Sequence, residues 1–321
     1  MINKIGILTS GGDSPGMNAA IRSIVRTAVN NNIKVVGFLE GYLGLCKNNT
    51  IELNKKNVSN LINKGGTFLG STRYLKFHNK NKQKLAIHNM KKKGIKALIV
   101  IGGNGTYLGA NSLKKMKFPC ICIPGTIDND VVGTDYSIGY YTALETVVQS
   151  IDKIRDTSSS HKRISIVEIM GRNCGDLTLY SAIAGGCELI VIPEIKYKKQ
   201  KLLKKIKRII KKEKKHIVIA ITEHICNTKK LAKYIENKTN RETRTTVLGH
   251  VQRGGSPVSY DRILASRMGF YSINNLLKKN IFGVCIGIKK NKIIHHNIKY
   301  MLKKRKKKFK KKLFYMSKKL Y

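Results

Sequence analysis

The 321-residue sequence contains no tryptophan, and phenylalanine and tyrosine bring aromatic content only to 7%. Aliphatic side chains must therefore build the interior. A chain of this length, about two domains' worth, can do so without disulfides or structural metals. The seven cysteines are odd in number and form no C-x-x-C pair. This argues against a disulfide framework and predicts reduced, buried thiols in a cytoplasmic protein. No apolar run approaches a membrane span, and MINKIGIL is too short, and lacks a cleavage region, to act as a signal peptide. A soluble protein with no membrane partner is expected. Internal repeats and Pro/Ser-rich linkers are also missing.

Acidic residues number only 18 against 63 lysines and arginines, a net charge of +45. Such a charge is the usual footprint of nucleic-acid binding. The kinds of residue point elsewhere: lysine dominates, asparagine and isoleucine abound, and arginine occurs only thirteen times. Lysine, asparagine and isoleucine are what A+T-rich codons encode, so base composition explains the excess without a partner. The basic stretch Lys303 to Lys312 carries one aromatic residue, Phe309, which is little stacking surface for a nucleic acid. Repulsion between its like charges predicts a solvated segment or a frayed helix. A specific nucleic-acid partner is not expected. The few arginines become informative, since lysine suffices wherever a planar bidentate fork is not needed.

The first expected strand, Ile5 to Leu8, runs into TSGGDSPG (Thr9 to Gly16) and a helix with Ile21, Ile24, Val25, Ala28 and Val29 on one face. Strand, glycine-rich turn and helix together bring backbone N–H groups up to a phosphate, and Gly11 and Gly12 permit the close approach. Arg22 and Arg26 stand four apart on that helix. Such a like-charge pair costs about 0.2–0.5 kcal/mol unless an anion lies between them, which hints at a second anion site. A strand at Lys34 to Phe38 follows, and GGTFLGSTR (Gly65 to Arg73) ends in an arginine suited to bridging phosphates. Ala97 to Ile101 reads as a buried strand leading into GGNG, Gly102 to Gly105. Cys120 to Ile123 leads into PGTIDND, Pro124 to Asp130. A hydroxyl and two carboxylates after Pro-Gly suit chemistry better than packing. Asp128 can take a proton while Asp130 and Thr126 hold a metal-bound phosphate or the base itself. The alternative is a turn of solvated acids.

Leu144, Val147, Val148, Ile151 and Ile154 have helical spacing, and the helix is expected to stop at Thr157 to Ser160 in a loop bracketed by Arg155 and Arg163. Expected strands at Ile164 to Ile169 and Ile217 to Ile221 lead into MGRNCGDLT (Met170 to Thr178) and TEH (Thr222 to His224). Between them lie a strand at Glu188 to Ile192 and a lysine-rich helix with Leu202, Leu203, Ile206, Ile209 and Ile210 on one face. GGNG, PGTIDND, MGR and TEH thus each follow a short strand. In open parallel α/β sheets the ligand crevice lies beyond the carboxyl ends of the strands. Arg244, His250 and Arg253 are spaced to converge on an anion from a turn that Gly254, Gly255 and Pro257 close.

In this order, KIGILTSGGDSPGMNAAIR, GGTFLGSTR, PGTIDND, MGRNCGDLTLYSAIAGGCE and LGHVQRGGSP resemble the ATP-dependent 6-phosphofructokinases of bacterial type over essentially the whole chain. The resemblance implies two Rossmann-like three-layer α/β domains with mostly parallel sheets, each built from discontinuous segments. Residues 1–138 and 251–301 would bind nucleotide, and residues 139–250 and 302–321 the sugar phosphate. The implied reaction moves the γ-phosphate of MgATP to the 1-hydroxyl of fructose 6-phosphate. Asp128 would be the base, supported by Asp130. Thr126 and Gly12 would hold the transferring group, with Arg73 and Arg172 countering its charge. ATP would lie along Gly12, Arg73, Tyr74, Gly103, Asn104, Gly105 and Thr106. The sugar would meet Thr126, Ile127, Asp128, Met170, Gly171, Arg172 and Glu223. Its 6-phosphate would meet His250, Val251, Gln252 and Arg253, with Arg163 and Arg244 reaching in from a neighbouring subunit of a homotetramer. Gly105 and Gly125 would leave room for a nucleotide where pyrophosphate-using relatives carry Asp and Lys.

The resemblance also implies an effector pocket for ADP or phosphoenolpyruvate, at Arg22, Arg26, Lys55, Arg155, Gly186, Cys187, Glu188, Lys212, Lys214, Lys215 and His216. Lys55 stands where arginine is usual and Lys56 where an aromatic residue is usual, which removes a fork and a stacking surface. Asn104 departs from the pattern GGDG, whose aspartate serves magnesium. It keeps a carbonyl oxygen and loses the charge a hard cation prefers. An active enzyme with a raised magnesium requirement is expected. The rival readings are a catalytically impaired subunit and, less favoured, a polyanion-binding protein.

Overall fold

The computed structural model describes residues 2–279, 281–303 and 309–320. The strands run β1 (Lys4–Ser10), β2 (Lys34–Phe38), β3 (Thr50–Leu53), β4 (Ala97–Gly102), β5 (Cys120–Pro124), β6 (Ile164–Ile169), β7 (Leu189–Val191), β8 (Ile217–Thr222), β9 (Thr243–Val247), β10 (Val284–Lys289) and β11 (Lys292–Asn297). The chain divides into two compact α/β units, Met1–Thr142 with Arg253–Lys307, and Ala143–Gln252 with Lys308–Tyr321.

The first unit holds a seven-stranded sheet in the order β11-β10-β5-β4-β1-β2-β3. Its five inner strands are parallel, and β3 and β11 are antiparallel edges. The period-2 alternation of side chains separates two cores. Ile5, Ile7, Ile99, Ile101, Ile121 and Ile123 face one, while Leu8, Leu98, Val100, Cys120 and Cys122 face the other. Sheets covered on both faces are what near-continuous aliphatic strands require. The helix Met17–Asn30 buries the expected Ile21, Ile24, Val25 and Ala28. It packs so closely on the helix Ser259–Lys279 that a methyl group on Gly269 would lie 2.7 Å from Ser23 Cβ.

Strands β3, β9, β10 and β11 escaped the sequence reading. The first two are short and mostly part-exposed edges, with little apolar alternation to signal them. β10 and β11 form a hairpin over Lys290 and Asn291, both left-handed at φ 46° and 61°. This is the geometry of a two-residue type I′ turn, without the Asn-Gly signature that normally marks one.

The second unit is a four-stranded, all-parallel sheet in the order β7-β8-β6-β9. The helix Tyr140–Ser160 runs through Thr157 to Ser160 instead of stopping there. Ser158 and Ser160 donate to the carbonyls of Ile154 and Asp156 at 2.6 and 3.1 Å, so their hydroxyls are satisfied inside the helix. The tail also departs from expectation where it is described. Phe314 packs with Leu179 and Ile192, joined by Phe309 and Leu313. Lys310 Nζ donates to the Tyr180 hydroxyl at 2.8 Å and pairs with Asp176 at 3.4 Å. Within Lys303 to Lys312, expected to be a solvated segment or a frayed helix, partly buried Phe309 and the Lys310 ion pair thus anchor the described end; residues 304–308 lie outside the described residues.

All seven cysteines are free, and all but Cys226 are buried. Burial pushes the Cys46 thiol up to about 11 and that of Cys187 up to about 12, so both are protonated and inert near neutrality. Among the described residues no helix is long and apolar enough to cross a membrane.

Candidate active site

The register of β1, β4 and β5 places Ser10 opposite Gly102 and Gly102 opposite Pro124, so TSGGDSPG, GGNG and PGTIDND leave one sheet edge together. Hydrogen bonds fix the turns there. Thr106 Oγ1 donates to the Ser10 carbonyl at 2.8 Å, and Ser71 Oγ to the Gly11 carbonyl at 2.6 Å. Thr106 is buried, with its hydroxyl engaged on Ser10 and its carbonyl accepting from the Tyr42 hydroxyl at 2.7 Å, so it positions the end of β1. The helix Asn104–Lys115 begins at this edge, presenting the N-terminal amides that favour phosphate. A cavity of about 640 Å³ opens beside the same turn, lined by Gly11, Asp13, Lys64, Gly66 and Ser71 among others.

The two glycines expected to make room differ. A methyl group on Gly105 would meet nothing within 4 Å, but one on Gly125 would lie 3.0 Å from Ile101 Cγ2 and 3.1 Å from Met17 Cε. Gly125 is therefore set by close packing of the core, and the open space lies at Gly105.

Asp128 is not in a solvated turn. It is only 6% exposed. Asn129, between the two acids, takes the left-handed conformation at φ 50°. Its Nδ2 donates to the Asp135 carbonyl at 3.2 Å, and its Oδ1 accepts from Ser137 N at 3.0 Å. Ser137 Oγ donates in turn to the Thr126 carbonyl at 2.6 Å. The loop carrying Thr126, buried Ile127, Asp128 and Asp130 is thus pinned by a residue that sequence reading passed over. Asn104 Nδ2 donates to Asp130 Oδ2 at 2.9 Å. Among the described residues no group of three His, Cys, Asp or Glu side chains could hold a metal. Magnesium bound with nucleotide needs only one or two carboxylates beside the phosphates, and the Asp130 carboxylate beside Asn104 fits that demand. Arg73 is exposed beyond the glycine-rich loop, and half-buried Tyr74 packs with the core of the sheet's second face.

In the second unit β6 and β8 pair so that Ile169 lies opposite Thr222, bringing MGR and TEH to one edge. Gly171 and Arg172 have φ of 149° and 53°, a turn that points both amides at one acceptor. Glu223 Oε1 accepts them at 3.2 and 3.0 Å. Arg172 is exposed, as are His250 and Val251. Gln252 behaves differently. It is fully buried, accepting from Met170 N at 3.1 Å and donating to the Gly249 carbonyl at 3.0 Å. It holds the MGR turn instead of facing a ligand, because both ends of its amide are engaged inside the fold.

Arg163 and Arg244 meet on Glu242, which sequence reading missed. Arg163 Nε donates to Oε2, and Arg244 Nη2 lies 2.6 Å from Oε1. The hydrogen bond from Arg163, with that of Arg244, holds the Glu242 carboxyl below its ordinary range. Weighing the scarce acids as the scarce arginines were weighed would have marked it.

The effector residues of this unit also assemble. Arg155 Nη2 donates to the carbonyls of Gly185 and Gly186, at 2.5 Å each. Its Nη1 lies 3.1 Å from His216 Nε2 and 3.4 Å from Glu188 Oε1, and Lys214 pairs with the same oxygen at 2.7 Å. Burial pushes His216 below its ordinary value, with Glu188 opposing. Cys187 is buried, and Lys212 and Lys215 are exposed. In the first unit Arg22 Nε and Arg26 Nε are buried with no hydrogen-bond partner among the described residues. Burial and then Arg26 press Arg22 below the usual guanidinium range. Lys55 and Lys56 are both exposed.

Glycine turns and a helix N-terminus beside a pinned pair of carboxylates, on a parallel α/β sheet, define a phosphoryl-transfer protein. The phosphofructokinase family model matches residues 4–276, and the chain belongs to that family. It is 63% identical over 310 residues to the ATP-dependent 6-phosphofructokinase of Buchnera aphidicola subsp. Baizongia pistaciae, covering 97% of each chain. It is 61% identical to that of Erwinia tasmaniensis over the full length of both. Its structure superposes on phosphofructokinase from Saccharomyces cerevisiae with a TM-score of 0.86 at 32% identity, covering 94% of this chain and 45% of that one. It shares its fold with a pyrophosphate-dependent phosphofructokinase from Marinobacter aquaeolei, with a TM-score of 0.84 at 20% identity and coverage of 94% of this chain and 84% of that one.

Proposed function

We infer that this chain is a phosphotransferase that moves the γ-phosphate of ATP to the 1-hydroxyl of fructose 6-phosphate, giving fructose 1,6-bisphosphate and ADP. The observation that carries this reading is Asp128, buried and fixed two residues after Thr126 on a loop pinned by Asn129. Asp128 takes the proton of the 1-hydroxyl as that oxygen bonds to the γ-phosphorus, and the bond from phosphorus to the β–γ bridging oxygen breaks. Thr126 and the Gly12 backbone orient the moving group, while Arg73 and Arg172 counter its charge. Positioning and charge matter more here than covalent catalysis. Magnesium bound with the nucleotide phosphates would be held on the protein side by Asp130, beside Asn104, and would supply further charge neutralisation, leaving Asp128 to act as the base. Glu223 and the MGR turn serve the sugar, and His250 and Arg253 its 6-phosphate. Arg163 and Arg244, gathered on Glu242, serve a neighbouring subunit of a homotetramer. An anionic effector, ADP or phosphoenolpyruvate, is assigned to the Arg22, Arg26 and Arg155 groups, and the protein to the cytoplasm. Purified protein with ATP, magnesium and fructose 6-phosphate should form fructose 1,6-bisphosphate; no product would favour the impaired-subunit reading.

Asn104 makes one step separately testable. Its amide donates to Asp130, so Asn104→Asp would set two carboxylates about 3 Å apart and raise the demand for a cation between them. The magnesium concentration for half-maximal rate should fall several-fold. In chelator the variant should melt below the parent, with magnesium restoring it. Unchanged magnesium dependence and melting would show that the amide suffices.

A further inference from the structure

The phosphate turn at Gly11 and Gly12 and the glycine-rich loop ending in Arg73 are distant in sequence, yet the structure fastens them together on both sides of the turn. Before the turn, Thr9 is fully buried at the end of β1. Its Oγ1 donates to the Gly70 carbonyl at 2.7 Å. A hydroxyl has a single hydrogen, so in its 2.9 Å contact with Thr67 Oγ1 it is Thr67 that donates. Thr67 and Gly70 are the two ends of one tight turn, closed by Gly70 N on the Thr67 carbonyl at 3.1 Å, with Gly70 left-handed at φ 69°. One side chain thus grips both ends. After the phosphate turn, Asn18 in the helix Met17–Asn30 commits its amide to the same loop. Its Nδ2 donates to the carbonyls of Lys64 and Gly65 at 3.2 and 3.0 Å, and its Oδ1 accepts from Phe68 N at 2.8 Å. Between these two anchors Ser71 Oγ reaches the Gly11 carbonyl. Beyond Arg73 the chain is held again by buried Phe77, stacked on Tyr42 with ring centroids 4.2 Å apart.

We propose that Thr9, seconded by Asn18, is a positioning residue of phosphoryl transfer: it fixes Arg73 relative to the Gly12 backbone that orients the moving group. This rests on the reading that Arg73 counters the charge of that group. Thr9 and Asn18 are buried, with hydroxyl and amide engaged on the loop, so neither faces a ligand and each acts through the backbone it holds. Arg73 itself is exposed, and its place depends on how firmly the preceding loop is set. A displacement of about 1 Å at a group that meets the transition state can cost on the order of 10²-fold in rate. Threonine suits the task because its branched stem restricts the rotamer, so the backbone of β1 dictates where the hydroxyl points. The turn and the loop thereby take their places from the same strand end. Valine would fill the same space and leave the Gly70 carbonyl and the Thr67 hydroxyl without this partner.

The test is a double-mutant cycle on the full-length protein, read as kcat at saturating ATP, magnesium and fructose 6-phosphate, with circular dichroism as the folding control. Arg73→Ala alone should lower kcat about 10²- to 10³-fold, the range for removing one donor to developing charge. Thr9→Val alone should lower kcat about 10- to 100-fold, with KM for fructose 6-phosphate nearly unchanged. Thr9→Ser, which keeps the hydroxyl, should recover most of the loss. In the Arg73→Ala background Thr9→Val should cost no more than about twofold, because its effect runs through the missing guanidinium. If Thr9→Val does not fold, Asn18→Ala makes the same cycle. Losses that multiply in the double variant, a Thr9→Val kcat equal to wild type, or a Thr9→Ser variant as slow as Thr9→Val would overturn the proposal while the reading of Arg73 stands. If Arg73→Ala leaves kcat unchanged, both fall.

Discussion

Asp128→Asn should lower kcat by about 10²- to 10⁴-fold, the usual contribution of a positioned general base. The substitution is nearly isosteric, so the 6% exposed site and the loop around it should persist. Asn129 and Ser137 hold that loop through groups outside the Asp128 side chain. What disappears is the carboxylate that takes the proton of the attacking hydroxyl. KM for both substrates should change by no more than a few-fold, because the loss falls on the transition state rather than on ground-state binding. Steady-state kinetics with circular dichroism as a folding control would decide it. A loss below tenfold would mean that another group takes the proton.

Asp261→Ala should cost about 3–5 kcal/mol, the range for breaking a buried, hydrogen-bonded charge network. Asp261 is fully buried and caps the start of the helix Tyr140–Ser160. Its carboxylate accepts from Gly139 N at 3.0 Å, from Thr142 N at 2.8 Å and from Thr142 Oγ1 at 2.6 Å. Alanine would leave these donors buried without their acceptor. The damage would reach the active site, because Ser14 of the phosphate turn donates to the Ile138 carbonyl at 3.0 Å. A methyl group on Gly139 would lie 2.5 Å from Ser14 Cβ, so turn and cap are packed together. Urea unfolding should show the loss, and activity should fall with it.

The same residue gives a pH signature. Burial pushes the Asp261 carboxyl above its ordinary range, and the hydrogen bonds from Thr142, Gly139 and Tyr141 oppose it. A carboxyl with a raised folded value favours the protonated folded state. Its titration-linked stabilisation is fully present below the unfolded value of about 3.9, and is lost as pH rises through the raised one. The stability gap between wild type and Asp261→Ala should narrow over that window. A gap that widens as pH rises would show that the hydrogen bonds outweigh burial.

The contrast between Asp128 and Asp261 shows what was legible. Asp128 stood in a run of chemistry-bearing residues after a short aliphatic strand, and local pattern was enough to raise it. Asp261 partners residues more than a hundred positions away, and nothing beside it in the chain marks it as a cap. Asn129 read as filler between two acids until its left-handed backbone and buried amide appeared. Gly125 read as open space, but Ile101 and Met17 fill it. Gln252 stood among phosphate-binding candidates and turned inward to hold the MGR turn. In each case residue type was visible and its partner was not.

By itself the sequence determined the parallel α/β order and the short aliphatic strands, and it identified the glycine turns and acids at their carboxyl ends. Those properties are written in periodicity and in neighbouring residues, which local sterics and burial read directly. Only the tertiary structure decided which polar groups face a ligand and which are engaged in the fold. It alone gathered Arg163 and Arg244 on Glu242, set Asn104 on Asp130 and laid Arg253 over Gly12. Such choices depend on contacts between distant parts of the chain, where a hydrogen bond forms only after the sheets have packed and leaves no periodic trace in the sequence.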